Sequence, residues 1–121
     1  MTAATRDQTP VRFDTGEAEL RMKEIGGDFS IAFVRFAQGV DMSPAFKGLP
    51  DDLCTCPHWG YVLKGKIKLH TTDGSTVYSA GEAFYWAPGH APEAVEDTEF
   101  IDFSPTAQME AVVGHVEARM T

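Results

Sequence analysis

The sequence has only two cysteines, and they stand two residues apart at Cys54 and Cys56. On an extended backbone, residues at this spacing have Cα atoms roughly 6.6 Å apart, which is near the upper limit for a disulfide. The spacing therefore argues against a disulfide bridge. Reduced thiols in a small domain are either buried as small hydrophobic side chains or used as metal ligands, and the pair alone does not decide between these roles.

Basic residues and long apolar runs are also scarce. Ten lysines and arginines face 18 acidic residues, which gives a formal net charge of −8 over 121 residues. This charge repels phosphate backbones and anionic lipid headgroups, so neither nucleic acid nor a membrane is an expected partner. The N-terminus, MTAATRDQTP, has neither the basic nor the apolar part of a secretion signal. We expect one soluble, cytoplasmic domain with its own core.

The chain is instead rich in short segments of β-forming residues that are separated by Gly, Pro and Asp. These segments are residues 11–13, 19–24, 29–36, 59–63, 66–71, 75–78, 83–86 and 99–103. Many short strands at regular spacing predict an all-β sandwich or barrel. The clearest hairpin is KIKLHTTDGSTVYSA, in which Ile67 and Leu69 alternate with polar residues. His70 is one of these polar residues, and we expect it to face solvent.

Only the C-terminal segment SPTAQMEAVVGHVEARM has helical periodicity. Its apolar residues fall on one stripe: Met109, Val112, Val113, Val116 and Met120. Ser104 is a candidate N-cap, and His115 lies off the stripe. We expect the stripe to pack against the barrel or a second subunit. The predicted organisation is therefore a flexible N-terminal arm over residues 1–10, a barrel over 11–104 and a helix over 105–121.

The stretch CTCPHWGYVLKG contains the first candidate metal ligands. On a continuous strand, Cys54, Cys56 and His58 would share one face with the apolar Val62, which marks that face as interior. Imidazole and thiolate suit zinc, iron, copper or nickel. However, four extended steps separate Cys54 from His58 by about 13 Å, so both can reach one ion only if the chain bends, for which Pro57 is suitably placed. This spacing favours Cys56 with His58 and makes Cys54 a fourth ligand if the bend occurs.

A second imidazole, His90, follows a predicted strand in the stretch GEAFYWAPGHAPE. Gly89 allows a sharp turn, and Pro88 and Pro92 fix the chain on either side of the histidine. His90 is therefore either a rigidly held functional side chain or an ordinary hydrogen-bonded loop histidine. Glu93 is a weaker candidate for a ligand or proton acceptor. The preceding loop, residues 41–52, carries two prolines and leads into the cysteines, either as a lid over the site or as a surface crossover.

Taken together, these residues resemble the two sequence signatures of the cupin superfamily, G(x)5HxH(x)3–4E(x)6G and G(x)5PxG(x)2H(x)3N. Anchoring the first signature on Gly65 puts His58 at its glutamate, in the setting HWGYVLKG. Cys54 and Asp52 then fall on its two histidines.

In the second signature, Ala87 takes the place of the proline and Pro92 that of the histidine, while His90 stands two residues early. The combination of PHWGYVLKG with APGH is similar to a branch of small bacterial single-domain cupins that carry a PGH element. This resemblance implies an all-β jelly-roll barrel, a divalent transition metal in its interior and a homodimer.

The resulting expectation is a cupin that binds a transition metal such as zinc, iron or nickel, and a small organic ligand, inside its barrel. The predicted metal ligands are Cys54, Cys56, His58 and His90. With an open coordination position, the site would suit a metalloenzyme of the dioxygenase, isomerase or lyase type, with Tyr61, Tyr85 or Glu93 as acid or base. The alternatives are a closed structural zinc site, a non-catalytic ligand-binding pocket walled by Trp59, Phe84 and Trp86, and a metal-free barrel. The barrel is also a candidate assembly module that dimerises through an exposed sheet edge and the C-terminal helix.

Overall fold

The computed structural model describes residues 1–120, and over these residues the chain forms nine β-strands and one α-helix. The strands are β1 (Val11–Asp14), β2 (Ala18–Gly26), β3 (Phe29–Phe36), β4 (His58–Lys64), β5 (Lys66–Thr71), β6 (Gly74–Ser79), β7 (Ala83–Trp86), β8 (Ala91–Ala94) and β9 (Thr98–Pro105), and the helix is α1 (Thr106–Arg119). Two 3-10 turns, Ser43–Phe46 and Pro50–Asp52, lie between β3 and β4. No helix in this range is both long and apolar enough to cross a membrane.

The strands form two antiparallel sheets with the order β1-β2-β3-β9-β4-β7 and β6-β5-β8. Inward-facing residues of both sheets build one apolar core, as alternating strands require. The prediction of an all-β jelly-roll barrel with a C-terminal helix is therefore confirmed. Each of the eight predicted segments lies within an observed strand. The sequence reading missed β8, because its residue Pro92 indicates a loop rather than a strand that pairs with β5.

The N-terminal arm predicted over residues 1–10 lies beside β2. The guanidinium of Arg6 pairs with the buried Glu19, and Arg21 donates hydrogen bonds to the carbonyl oxygens of Arg6 and Thr9. Thr2 also hydrogen-bonds the backbone carbonyl of Ile25. These contacts attach the arm to the outer side of the larger sheet.

Helix α1 buries the predicted apolar stripe, which comprises Met109, Val112, Val113 and Val116. Two ion pairs also join the helix to β1, because Arg12 of this strand pairs with Glu110 and Glu117 of α1 at 2.7 and 2.9 Å. Met120 lies beyond the helix and is exposed. The expected capping role of Ser104 is wrong. The N-cap is Pro105, which makes no side-chain capping bond, and the buried Ser104 hydroxyl points into the barrel instead.

Candidate metal centre

Two local features bring Cys54 next to the two histidines. Cys54 forms an isolated antiparallel bridge with His90, in which the Cys54 N–H donates to the His90 carbonyl at 2.8 Å. Gly89, with a φ of +96°, completes the turn and donates to the Cys54 carbonyl at 2.7 Å. The chain then bends at Cys56 before β4 begins at His58. The bend at the Cys56–Pro57 step removes the 13 Å separation that an extended strand would impose on Cys54 and His58.

The side chains of Cys54, His58 and His90 converge inside the barrel. One donor atom from each of the three lies within 4.8 Å of the other two, and all three residues are buried. The Sγ of Cys54 is 3.6 Å from the Nε2 of His58, and the two imidazole centroids are 5.0 Å apart. Tetrahedral zinc with ligands at about 2.0–2.3 Å needs donor atoms roughly 3.3–3.6 Å apart. The three donors therefore fit a transition metal after a small contraction of the cluster.

Hydrogen bonds on the far side of each ring fix which nitrogen faces the cluster. The Nδ1–H of His90 donates to the Ala87 carbonyl at 2.6 Å, because a carbonyl oxygen only accepts. The Nδ1 of His58 lies 2.6 Å from the Ser104 hydroxyl, which itself donates to Asp102 at 3.2 Å. His58 Nδ1–H is accordingly the donor to Ser104. Both Nε2 atoms keep their lone pairs for a metal, and outer hydrogen bonds of this kind typically orient metal-binding histidines.

Burial keeps the groups of the cluster uncharged when no cation is present. Desolvation lowers the pKa of His58 to about 4, and desolvation together with the nearby His58 lowers that of His90 to about 4. Desolvation also raises the pKa of Cys54 to about 12. A metal ion reverses this preference for the thiol, since it binds the thiolate and offsets its charge.

Cys56 is fully buried but lies outside the cluster of three donors. Its Sγ is 3.4 Å from the carbonyl oxygen of Pro57, and its thiol is close to Ser104 and Asp102. Desolvation raises the pKa of Cys56 to about 12. The structure thus brings Cys54, rather than Cys56, beside the imidazoles. The sequence favoured Cys56 over Cys54 as a metal ligand, and this preference was wrong. It assumed an extended chain between residue 54 and β4, whereas the chain bends there.

The remaining predicted site residues lie elsewhere. Tyr61 and Tyr85 are exposed on the outer face of the larger sheet, as is Trp59. Glu93 pairs at 2.7 Å with His70, which is half-buried rather than fully exposed as expected. These placements remove Tyr61, Tyr85 and Glu93 as acid or base candidates within the barrel.

Sequence reasoning missed two residues of the site, Asp102 and Ser104 on β9. Both are buried, and desolvation raises the pKa of Asp102 to about 7. A signal was present in the sequence FIDFS, because Asp102 and Ser104 share the parity of the core residue Phe100. A carboxyl group at an inward-facing position of a strand generally has a specific partner.

A cavity of about 60 Å³ lies beside the cluster, between the barrel interior and the buried face of α1. Cys54, His58 and His90 line it together with Asp102 and Trp86. Phe46 of the predicted lid segment, residues 41–52, also lines the cavity. This segment therefore covers part of the site.

Comparison with models of protein families and with curated proteins gave no match. Solved structures with similar folds include an RmlC-like cupin from Shewanella frigidimarina, with a TM-score of 0.61, 17% identity and coverage of 84% of this chain and 88% of the other. KdgF from Halomonas sp. gives a TM-score of 0.60, 24% identity and coverage of 84% and 90%.

Oxalate decarboxylase from Bacillus subtilis, a protein with Mn(II) centres, gives a TM-score of 0.65 and 17% identity. The match covers 87% of this chain but 29% of that enzyme. At these identities the likeness concerns the fold, and it shows that the chain has the cupin jelly-roll fold.

Proposed function

We propose that this small cupin-fold domain binds a divalent transition metal through Cys54, His58 and His90, next to a pocket for a small organic molecule. The observation that carries the proposal is the convergence of one buried thiol and two imidazoles within 4.8 Å, with both Nδ1 atoms already hydrogen-bonded. A thiolate with two imidazoles suits zinc, iron or nickel, whereas magnesium and manganese prefer oxygen ligands. The manganese of the fold neighbour is therefore not carried over to this chain.

The position of Cys56 supports an open site over a closed structural zinc site. Its Sγ faces the Pro57 carbonyl at 3.4 Å, so a fourth bond from Cys56 would require this thiol to turn away from its present contacts. Three protein ligands leave one coordination position for water or another molecule. We therefore favour a ligand-binding or catalytic centre, and keep closed zinc coordination by Cys54, Cys56, His58 and His90 as the alternative.

The chain supplies its own proton-handling group beside the metal ligands. The ion, when bound, would act as a Lewis acid or an oxygen-activating centre, as in dioxygenase, isomerase or lyase chemistry. Asp102 lines the cavity, and its pKa, raised by burial to about 7, allows its carboxyl group to gain or lose a proton near neutral pH. Ser104 donates to Asp102 Oδ1 and accepts from His58, so protonation of this carboxyl group is coupled to the orientation of His58.

Titration of untagged protein with cobalt(II) tests the metal proposal. We expect one equivalent to bind and to give a thiolate-to-cobalt absorption band, which Cys54→Ser abolishes and Cys56→Ser retains. His58→Ala should lose the metal, whereas His70→Ala, at a half-buried position outside the cluster, serves as the matched control. Unchanged binding in both Cys54→Ser and His58→Ala would refute the site. Loss of the band in Cys56→Ser, with the fold intact by circular dichroism, would support closed coordination instead.

We also propose that the protein forms a homodimer in the cytoplasm. The outer face of the larger sheet exposes Trp59, Tyr61, Tyr85 and Phe103, each to 37–53%, and Trp59 packs on Tyr85 with ring centroids 5.1 Å apart. The outer face of an antiparallel sheet is ordinarily polar, so an aromatic patch indicates a docking surface. A second copy is the occupant we favour, because most homo-oligomers are two-fold symmetric and pair the same surface patch of both copies. The two unpaired cysteines fit a reducing compartment.

A further inference from the structure

The cavity beside the metal ligands is small and almost entirely apolar. Its volume is about 60 Å³, and its wall includes Phe36 and Phe100 from the barrel and Phe46 from the covering segment 41–52. Met109 and Val113 close it from the helix side. An apolar protein cavity of about 150 Å³ accommodates benzene, so the present one has room for roughly two to four heavy atoms. This volume excludes sugars and the larger organic acids.

The charges around the cavity disfavour anions. Among residues 1–120, no lysine or arginine lines the cavity, and its one carboxyl group is that of Asp102. A carboxylate has two oxygens that accept about four hydrogen bonds, and burying its charge in an apolar pocket without partners is strongly unfavourable. If a metal ion at Cys54 and the two histidines bound one oxygen of a ligand carboxylate, the other oxygen would still have no cation to pair with.

One polar group of the wall has no partner of its own. Trp86 is buried and lines the cavity, and its indole N–H has no hydrogen-bond partner among the residues that the structure describes. The ring of Trp86 lies close to those of both histidines, with centroid separations of 6.2 Å to His58 and 5.7 Å to His90. Buried N–H groups are nearly always paired, so an unpartnered one in the wall of a cavity fits a ligand with a single acceptor atom.

We propose that this cavity selects a small, neutral, largely apolar molecule of two to four heavy atoms with one lone-pair donor, and that it excludes carboxylates. The proposal rests on the proposed metal function for the identity of the site, but the cavity itself belongs to the metal-free protein. The ligand lies between Trp86 and the helix residues Met109 and Val113, so helix α1 forms one wall of its site.

Methionine methyl groups provide a direct readout of occupancy. Met42 and Met109 line the cavity, whereas Met22 is equally buried but does not line it, and Met120 is exposed. We expect xenon to produce saturable shifts of the Met42 and Met109 methyl signals in NMR spectra of chelator-treated protein labelled at the methionine methyls. The Met22 signal should show only the small linear effect of pressure. Equal shifts at Met22 and Met109, or no saturable shift at all, would overturn the cavity assignment without touching the metal proposal.

Selectivity is tested with acetone and acetate, which have nearly the same shape and differ in charge. We expect acetone, and not acetate, to shift the Met42 and Met109 signals, both in metal-free protein and in protein loaded with zinc. Equal or stronger binding of acetate would overturn the proposed ligand class while leaving the cobalt titration unaffected.

A cavity-filling variant provides the final control. Val113→Leu should reduce the xenon-induced shift of Met109 several-fold. Val77→Leu, the same change at an exposed position of β6, should leave it as in the wild type. A wild-type xenon response in folded Val113→Leu protein would show that the gas binds elsewhere. If Val113→Leu does not fold, Val116→Leu provides the same test from the next turn of α1.

Discussion

His58 has a different role at each of its two ring nitrogens. Its Nδ1–H donates to Ser104, which donates to Asp102, and its Nε2 faces the thiol of Cys54. This arrangement fixes the tautomer and leaves the metal-binding lone pair on the side of the cluster. The orientation of His58 consequently depends on β9, a strand that contributes none of the three proposed metal ligands.

Removal of the Ser104 hydroxyl should weaken metal binding without abolishing it. In Ser104→Ala, the His58 ring loses its hydrogen-bonded partner and its preferred orientation, and such outer partners are worth about 10- to 100-fold in metal affinity. Competition with a chromophoric zinc chelator measures this change. Ser75→Ala, at an exposed position of β6, is the matched control and should bind as the wild type does. Wild-type affinity in a folded Ser104→Ala protein would refute this role of Ser104.

The buried histidines should make the metal-free protein sensitive to acid. Because the pKa of His58 and that of His90 are lowered from 6.5 to about 4, the unfolded chain takes up two protons in this window that the native protein does not. The free energy of unfolding therefore falls as the pH falls from 6.5 to 4. Asp102 opposes this effect, since its pKa, raised to about 7, makes the native protein take up a proton first.

Urea unfolding of chelator-treated protein between pH 4 and pH 7 measures the balance of these groups. The slope of the free energy of unfolding against pH reports how many more protons the unfolded chain binds than the native protein. His58, His90 and Asp102 together should contribute about one proton in the wild type. The two histidines should contribute about two in Asp102→Asn, in which the opposing carboxyl group is absent. Ser75→Ala, at an exposed position of β6, should keep the wild-type slope. A shallower slope in Asp102→Asn than in the wild type would contradict the buried position of this carboxyl group.

Residue patterns predicted part of the site, and the reasons for the misses are geometric. Side-chain parity and the rigid PGH turn correctly pointed to His58 and His90 as inward-facing residues. The order of Cys54 and Cys56 depends on a bend between residues 54 and 58, which a period-two pattern does not contain. Asp102 was missed because its link to the site runs through Ser104 to His58, which stands 44 positions before Asp102 on another strand.

At the scale of the elements, strands were easier to predict than the connections that shape the site. Clusters of β-forming residues between Gly, Pro and Asp located eight strands, and all of these strands except β6 bury at least one residue in the core. The strand β8 contains Pro92 and has four residues, so its pairing with β5 depends on tertiary contacts. The apolar stripe of the helix was predicted correctly, but the residue at which α1 begins was not. Ser104 is a typical N-cap residue, yet in the structure its hydroxyl hydrogen-bonds His58 and Asp102 inside the barrel.

Two glycines in different elements should respond in opposite directions to the same substitution. In β4, a Cβ at Gly60 would overlap the Ile101 carbonyl and the Phe84 ring, whereas in α1 a Cβ at Gly114 meets nothing within 4 Å. Gly60→Ala should lower the free energy of unfolding by about 3 kcal/mol through overpacking. Gly114→Ala should raise it by about 1 kcal/mol, because alanine favours the helix. Urea unfolding compares the two, and equal effects would contradict the packing described for β4.

At the scale of the whole molecule, the aromatic outer face is the feature that a monomer does not explain. Its four large side chains expose roughly 300–400 Å² per copy, which is about half of what each partner buries in an interface of standard size. Neighbouring residues of β4, β7 and β9 would have to supply the rest. The net charge of −8 opposes association of two copies, so the interface must be apolar at its centre.

Sedimentation velocity tests the proposed dimer. We expect the wild type to sediment at twice the 13.2 kDa mass of one chain, and a Trp59→Ser, Tyr85→Ser double variant to sediment as a monomer. Val77→Ser, which alters an equally exposed apolar residue on the smaller sheet, should remain dimeric. A dimer that persists in the double variant would place the interface elsewhere.

The position of a bound ion tests the central claim most directly. We predict that a crystal grown with one equivalent of zinc gives an anomalous-difference peak at the zinc edge about 2.0–2.3 Å from Cys54 Sγ and from the Nε2 atoms of His58 and His90. Cys56 Sγ should lie outside this distance. An absent peak, or a peak away from these three atoms, would contradict a metal centre in this barrel.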